Sequence, residues 1–257
     1  MDINLLTVNV GNSRVSLGVF VGGELAQATR FNLGDAPGLA AGLADAWAKV
    51  DRPETAEVAG ASVNPIAQEA IEHAVVRATG KPVQWVGRDL DLPIEVKTDV
   101  PADTGVDRVL SVAAAYEQME KACVVVDAGT ALTLNLCNDS GHFVGGAIAP
   151  GARLMLDALH NHTAKLPDVP LARPAGLIGT STEQAMLVGV VSGIRGMVKE
   201  IVEGYAEHLG SWPDMICTGG DAQLLFGDWE LAHAIAPDLT LYGIALAYTE
   251  HHIKNES

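Results

Sequence analysis

The stretches VNVGNSRVSLGVFVGGEL (8–25) and VDAGTALTLNLCNDSGHF (126–143) share one layout. Each opens as an apolar strand, breaks at an Asn/Asp-x-Gly-polar turn, resumes with alternating polarity and ends at a glycine-containing turn. Asn9-Val10-Gly11-Asn12 stands against Asp127-Ala128-Gly129-Thr130. Apolar runs bounded by Gly, Asn and Asp are hairpin signals. The return of the whole pattern in the second half points to a duplicated βββαβα unit.

Beyond the two turns, a third run near 25–32 and HFVGGAIAP (142–150) extend both hairpins into meanders. PGLAAGLADAWAKV (37–50) places Leu39, Leu43 and Trp47 four apart, the spacing of a helix face. EVAGASV (57–63) and PVQWVG (82–87) read as strands around a helix at 66–79, and VDRVLSVAAAYEQM (106–119) as a further helix. The second copy continues with helices at 151–161 and 181–207, the latter capped by Thr180 or Ser181. A strand and helix start follow at 215–225, and a closing helix at 239–252. With no Ser/Gly-rich linker between the halves, the division expected is 1–117 and 118–257.

At about 150 residues per domain, 257 residues make one large domain or two small ones. Hydrophobic residues at 48% against 19% charged can bury a core and exclude a disordered chain. Sixteen basic against 32 acidic side chains leave a formal charge of -16, which repels a phosphate backbone and an anionic membrane surface. No nucleic-acid or membrane partner is expected. Cys123, Cys137 and Cys217 form no CxxC pair, so neither a disulfide framework nor a zinc site is indicated. MDINLLTVNVG lacks the basic start of a signal peptide, and no uncharged apolar run approaches the ~18 residues of a membrane span. A soluble, cytoplasmic protein is expected.

A strand that ends in Asp-x-Gly-Thr or Asn-x-Gly-Asn exposes backbone N–H groups and adds a side-chain donor, which suits phosphate oxygens. A carboxylate beside such a turn can hold the metal ion that neutralises nucleotide phosphates. Thr218-Gly219-Gly220 has the form of a backbone that lets a flat ligand come close. In Gly105-Val106-Asp107-Arg108, at a helix start, Asp107 is either a capping residue or a general base with Arg108 beside it for an anionic group. His160 and His162, two apart, cannot share a helix face. Met155, Met186 and Met197 read as core, and Lys199, Glu200, Glu203 and Glu207 as a solvated face.

Together these residues resemble the type III pantothenate kinases, of the superfamily of acetate and sugar kinases, heat-shock chaperone ATPases and actin. The resemblance rests on NVGNSR (9–14), GVDR (105–108), DAGTALT (127–133), GGAIAPGARLMLDALHNHTAKLP (145–167), GTSTEQAMLVGVVSG (179–193) and TGG (218–220). It implies an α/β fold of two ribonuclease-H-like, actin-like ATPase domains with mixed sheets and a nucleotide cleft between them. It also implies a homodimer that transfers the γ-phosphoryl group of ATP to pantothenate, the first step toward coenzyme A. By position, Asn9, Val10, Gly11, Asn12, Ser13, Arg14, Val15, Ser16 and Thr130 would bind ATP, with Mg2+. Asp107 would be the base. Thr98, Gly105, Val106, Asp107, Arg108 and Thr182 would bind pantothenate, and Asp127 a monovalent cation, K+ or NH4+. Asn9 replaces the family's usual Asp, Thr98 its usual Tyr, Ser13 its Thr and Val106 its Ala. The alternative these departures leave is a catalytically weakened relative that binds nucleotide or a pantothenate-like ligand as an accessory protein.

Overall fold

The computed structural model describes residues 3–256, and side chains through 254. The chain forms two compact units: the residues up to Ala114 together with those from Asp238 onward, and Ala115–Pro237.

In the first unit, β1 (Leu5–Val10) is almost wholly buried, as a central strand must be. It pairs antiparallel with β2 (Arg14–Val21), which pairs antiparallel with β3 (Glu24–Asn32). On its other edge lies β4 (Glu57–Ser62), parallel, and beyond it β5 (Val83–Trp85), also parallel, giving the order β3-β2-β1-β4-β5. The crossovers are α1 (Ala36–Ala48) and α2 (Pro65–Thr79). Asn64 caps α2 by accepting from the Ala67 N–H, Pro65 stands in its first turn, and Gly80, at φ 71°, ends it in the left-handed region.

Period two sorts the strand residues between two cores. Leu6, Val8 and Val10 of β1 pack with Leu39 and Leu43 of α1 and Ile71 and Val75 of α2. Leu5, Phe20 and Ala59 face Leu110 of α3 (Val106–Met119) and Leu241, Ile244 and Ala247 of the last helix, α7 (Leu239–Glu256). A side chain at Gly243 would put its Cβ 2.2 Å from the Leu110 carbonyl oxygen, so the bare glycine is what lets α7 lie against α3. Each Val or Leu removed from water contributes ~1.5–3 kcal/mol.

The second unit repeats the plan. β6 (Cys123–Ala128), β7 (Ala131–Cys137) and β8 (Phe143–Pro150) form the meander; β9 (Asp214–Thr218) runs parallel to β6, and β10 (Ala234–Ile235) parallel to β9. The order β10-β9-β6-β7-β8 is that of the first sheet, element for element. Here α4 (Ala152–Asn161) and the 28-residue α5 (Thr182–Leu209) stand where α1 does, and α6 (Ala222–Phe226) joins β9 to β10. Of the two capping candidates for α5 it is Ser181, whose hydroxyl accepts from the Gln184 N–H. The duplication expected from the two turns is present as two mixed five-stranded sheets.

Candidate functional site

The β1–β2 turn of the first unit is closed by the Gly11 N–H donating to the Arg14 carbonyl at 2.9 Å, with Asn9 opposite Ser16 and Val10 opposite Val15. Val10 and Val15 are buried, so only their backbones are available to a ligand; Asn12, Ser13 and Arg14 stand exposed at the tip. The turn lies at the carboxyl end of β1, where ligands of open α/β sheets collect. The Val63 N–H donates to the Val10 carbonyl at 3.1 Å, which ties the end of β4 to the same place.

Ser62 and Val63 also form one wall of a cavity of about 400 Å3, with Gly105 and Val106 on another. The Gly105 carbonyl accepts from the N–H groups of Arg108 and Val109 and so starts α3. In that first turn Asp107 sits with its Oδ1 accepting from the Arg108 N–H at 2.8 Å. Burial pushes its carboxyl above the usual carboxylate range; the backbone N–H of Arg108 and that residue's charge pull it back only in part. The Asp107 side chain thus satisfies a helix-start donor, and its carboxyl is poorly solvated. The Thr98 and Thr104 hydroxyls lie 3.0 Å apart, which ties Thr98 to the residue preceding Gly105.

In the second unit Asp127 holds, in β6, the place that Asn9 holds in β1. It pairs with Thr133 on β7 and Thr218 on β9, as Asn9 pairs with Ser16 and Ala61. Gly219, at φ 94°, follows β9, and a Cβ there would stand 2.3 Å from Asp127 Oδ1 and 2.4 Å from the Ala128 carbonyl oxygen. The conformational freedom of the Thr218-Gly219-Gly220 segment is thus spent on a cradle around the Asp127 carboxylate. Hard oxygen donors at the rim of such a cradle fit a cation. Thr130 is exposed at the β6–β7 turn, and the Gly151 N–H at the start of α4 donates to its carbonyl at 3.1 Å.

Thr182, exposed at the first turn of α5, lines an apolar groove of about 820 Å3 between α4 and α5, with Leu154, Met155, Leu159 and Met186. Met186 is buried and Met155 and Met197 pack on the same core. Lys199 pairs with Glu203 at the surface, and the His160 ring lies 2.8 Å from the Leu166 carbonyl. Among the described residues no group of three or more His, Cys, Asp or Glu side chains could hold a metal ion.

The sequence reading did not single out Ser62, Val63, Gln68 or Trp85–Arg88, which the fold brings to the cavity beside Gly105. The only local sign was the Asn64-Pro65 helix start, which marks where a chain turns and not what lies above it.

The family model for type III pantothenate kinase matches residues 5–204. A type III pantothenate kinase of Dehalococcoides mccartyi is 32% identical over 258 residues, covering 96% of this chain and 98% of its own. Among solved structures, a Campylobacter jejuni chain named for the Baf family of transcriptional activators aligns at a TM-score of 0.59 with 20% identity over 98% of both chains. MreB5 of Spiroplasma citri bound to AMPPNP aligns at 0.52 with 12% identity over the full length of both, and these two likenesses show the fold alone: that of the actin-like ATPases. The matched span takes in both turns, the Asp107 segment and the cradle residue Asp127, so this chain belongs to the type III pantothenate kinase family.

Proposed function

We propose that this protein transfers the γ-phosphoryl group of ATP to the primary hydroxyl of pantothenate. The observation that carries the reading is Asp107, a carboxylate made more basic by burial, beside a cavity and next to an arginine. In this reading the backbone N–H groups and exposed side chains of Asn9–Ser16 hold ATP phosphates, with Thr130 as a further contact. The acceptor rests against Thr98 and Gly105–Arg108. Its hydroxyl oxygen bonds to the γ-phosphorus as the bond to the ADP oxygen breaks, and the hydroxyl proton passes to Asp107. Such transfers run through a loose transition state, so alignment and charge neutralisation supply most of the acceleration.

Magnesium bound with ATP neutralises the phosphates. The Asp127 cradle suits the monovalent cation, K+ or NH4+, that the resemblance implies. Asn9 is neutral where the family usually has an acid, which leaves Asp127 as the carboxylate at the two equivalent turn positions.

We also assign the groove between α4 and α5 to a second copy of the chain, making a homodimer. Its supports are the apolar lining and the exposure of Ile148 and Leu154 beside it, with Leu177 and Ile178 in the segment leading to Thr182. Large exposed apolar surface of this kind marks an interaction site. Working on ATP and pantothenate, the enzyme belongs in the cytoplasm; among the described residues no helix is long and apolar enough to cross a membrane.

The test is phosphate incorporation into pantothenate from labelled ATP, with K+ and with K+ replaced by Na+. Potassium-stimulated 4'-phosphopantothenate formation is expected. Nucleotide binding without turnover would favour the accessory reading instead.

A further inference from the structure

The cavity lined by Gly105 and Val106, the two residues before Asp107, holds one uncharged polar side chain whose hydrogen-bonding capacity is unspent. Gln68 lies in the first turn of α2, half-buried, and lines the cavity together with Gly105 and Val106. Its backbone is fixed: its N–H donates to the Asn64 carbonyl at 3.0 Å, and Asn64 caps the helix. Among the described residues no hydrogen bond engages its side-chain amide.

The other polar groups of the cavity are committed. The Ser62 hydroxyl donates to the Asn64 carbonyl and accepts from the Asn64 N–H. Thr104 is paired with Thr98, and the Trp85 indole N–H donates to Glu72. Arg88 is claimed by Glu72 and Asp89, and Asp103 stands exposed. The cavity therefore has no free cation for a carboxylate. Besides the exposed Asp103 carboxylate it offers one primary amide, a donor and an acceptor side by side, which is the complement of a secondary amide.

We infer that Gln68 is a specificity-determining residue that hydrogen-bonds the internal amide of the acceptor, orienting the hydroxyl end of that molecule toward Asp107. The inference rests on the pantothenate reading above, since pantothenate carries such an amide a few bonds from its reacting hydroxyl. A site that bonds an amide disfavours the analogue that lacks it, because the half-buried Gln68, covered by the bound analogue, is then left unpaired.

The experiment is steady-state kinetics on the full chain with pantothenate and with its ester analogue, in which oxygen replaces the amide N–H. For Gln68→Met, which keeps length and removes both hydrogen-bonding groups, the KM for pantothenate should rise about tenfold. The KM for ATP and the melting temperature should not move. The wild type should prefer amide over ester, and the variant should lose that preference. Should Gln68→Met fold poorly by its melting curve, Gln68→Asn, which retracts the amide without removing it, replaces it in the same comparison and should lose the same preference. An unchanged KM and an unchanged amide-to-ester ratio in a folded variant overturn the assignment while leaving the kinase reading intact. A wild type that phosphorylates neither compound overturns both.

Discussion

Burial holds the Asp107 carboxyl above the ordinary carboxylate range, so wherever it is ionised its charge works against the fold that holds it. Because burial raises its folded pKa above the ordinary 3.8, the folded protein binds that proton more tightly than the unfolded chain does. Its favourable contribution is present below 3.8 and is lost as the pH rises through the raised value. Asp107→Asn removes the charge and keeps the shape. At pH 7 the melting temperature should therefore rise, and the gain should fade as the pH falls and the wild-type carboxyl is itself protonated. Pantothenate phosphorylation by the same variant should fall by about 10²–10⁴-fold. Melting curves across pH, paired with a coupled ATP assay, check both.

Gly219 poses the opposite problem, since its usefulness lies in the atom it lacks. An alanine there would carry a strained φ of 94° and bring a Cβ to 2.3 Å from Asp127 Oδ1. Backbone strain of this sort costs ~1–3 kcal/mol. The carboxylate must also give way, so Gly219→Ala should raise the K+ concentration for half-maximal activity by about tenfold, equivalent to ~1.4 kcal/mol. A potassium titration at saturating ATP reads the effect.

Between elements, the start of α4 lies close against the β6–β7 turn. A Cβ at Gly151 would fall 2.1 Å from the Gly129 carbonyl oxygen and 2.6 Å from that of Thr130. Both neighbours are backbone and cannot swing aside. Gly151→Ala should therefore displace the turn and weaken ATP binding several-fold while pantothenate binding holds, as isothermal titration of each ligand would show. The close packing of interiors makes such a shift unavoidable.

Strands and helices of this kind were legible because each is long and periodic: the alternation in β7 and the spacing of Leu39 and Leu43 in α1 announce themselves. β10 escaped notice, being two residues, Ala234 and Ile235, defined by their pairing with Ile216 and Cys217 rather than by any pattern of their own. α7 was legible as a helix, yet Leu241, Ile244 and Ala247 form an apolar stripe that would suit either sheet. The site shows the same divide. Asp107 and Asp127 were visible because glycine and charge mark their turns, whereas Gln68 reads locally as an ordinary helix-surface residue and gains meaning only from the cavity above it.

Across the full chain, a formal charge of -16 opposes self-association, so any dimer must be held by apolar contact strong enough to overcome that repulsion. Leu154, 49% exposed at the edge of the α4–α5 groove, is the place to test it. A glutamate there would have to be buried uncompensated on association. Leu154→Glu should convert a dimer to a monomer in sedimentation velocity at micromolar concentration, without lowering the melting temperature of the isolated chain.

The return of α7 to the first sheet has a consequence for the order in which the protein is made. Leu5, Phe20 and Ala59 leave the ribosome early, yet the residues that cover them, Leu241, Ile244 and Ala247, are synthesised after every strand of the other half. The amino-terminal sheet must wait, one flank open, while its successor is translated and can already close upon itself. The earliest strands thus keep an uncovered apolar flank until the last helix is made, the kind of surface that favours misassembly in a nascent chain.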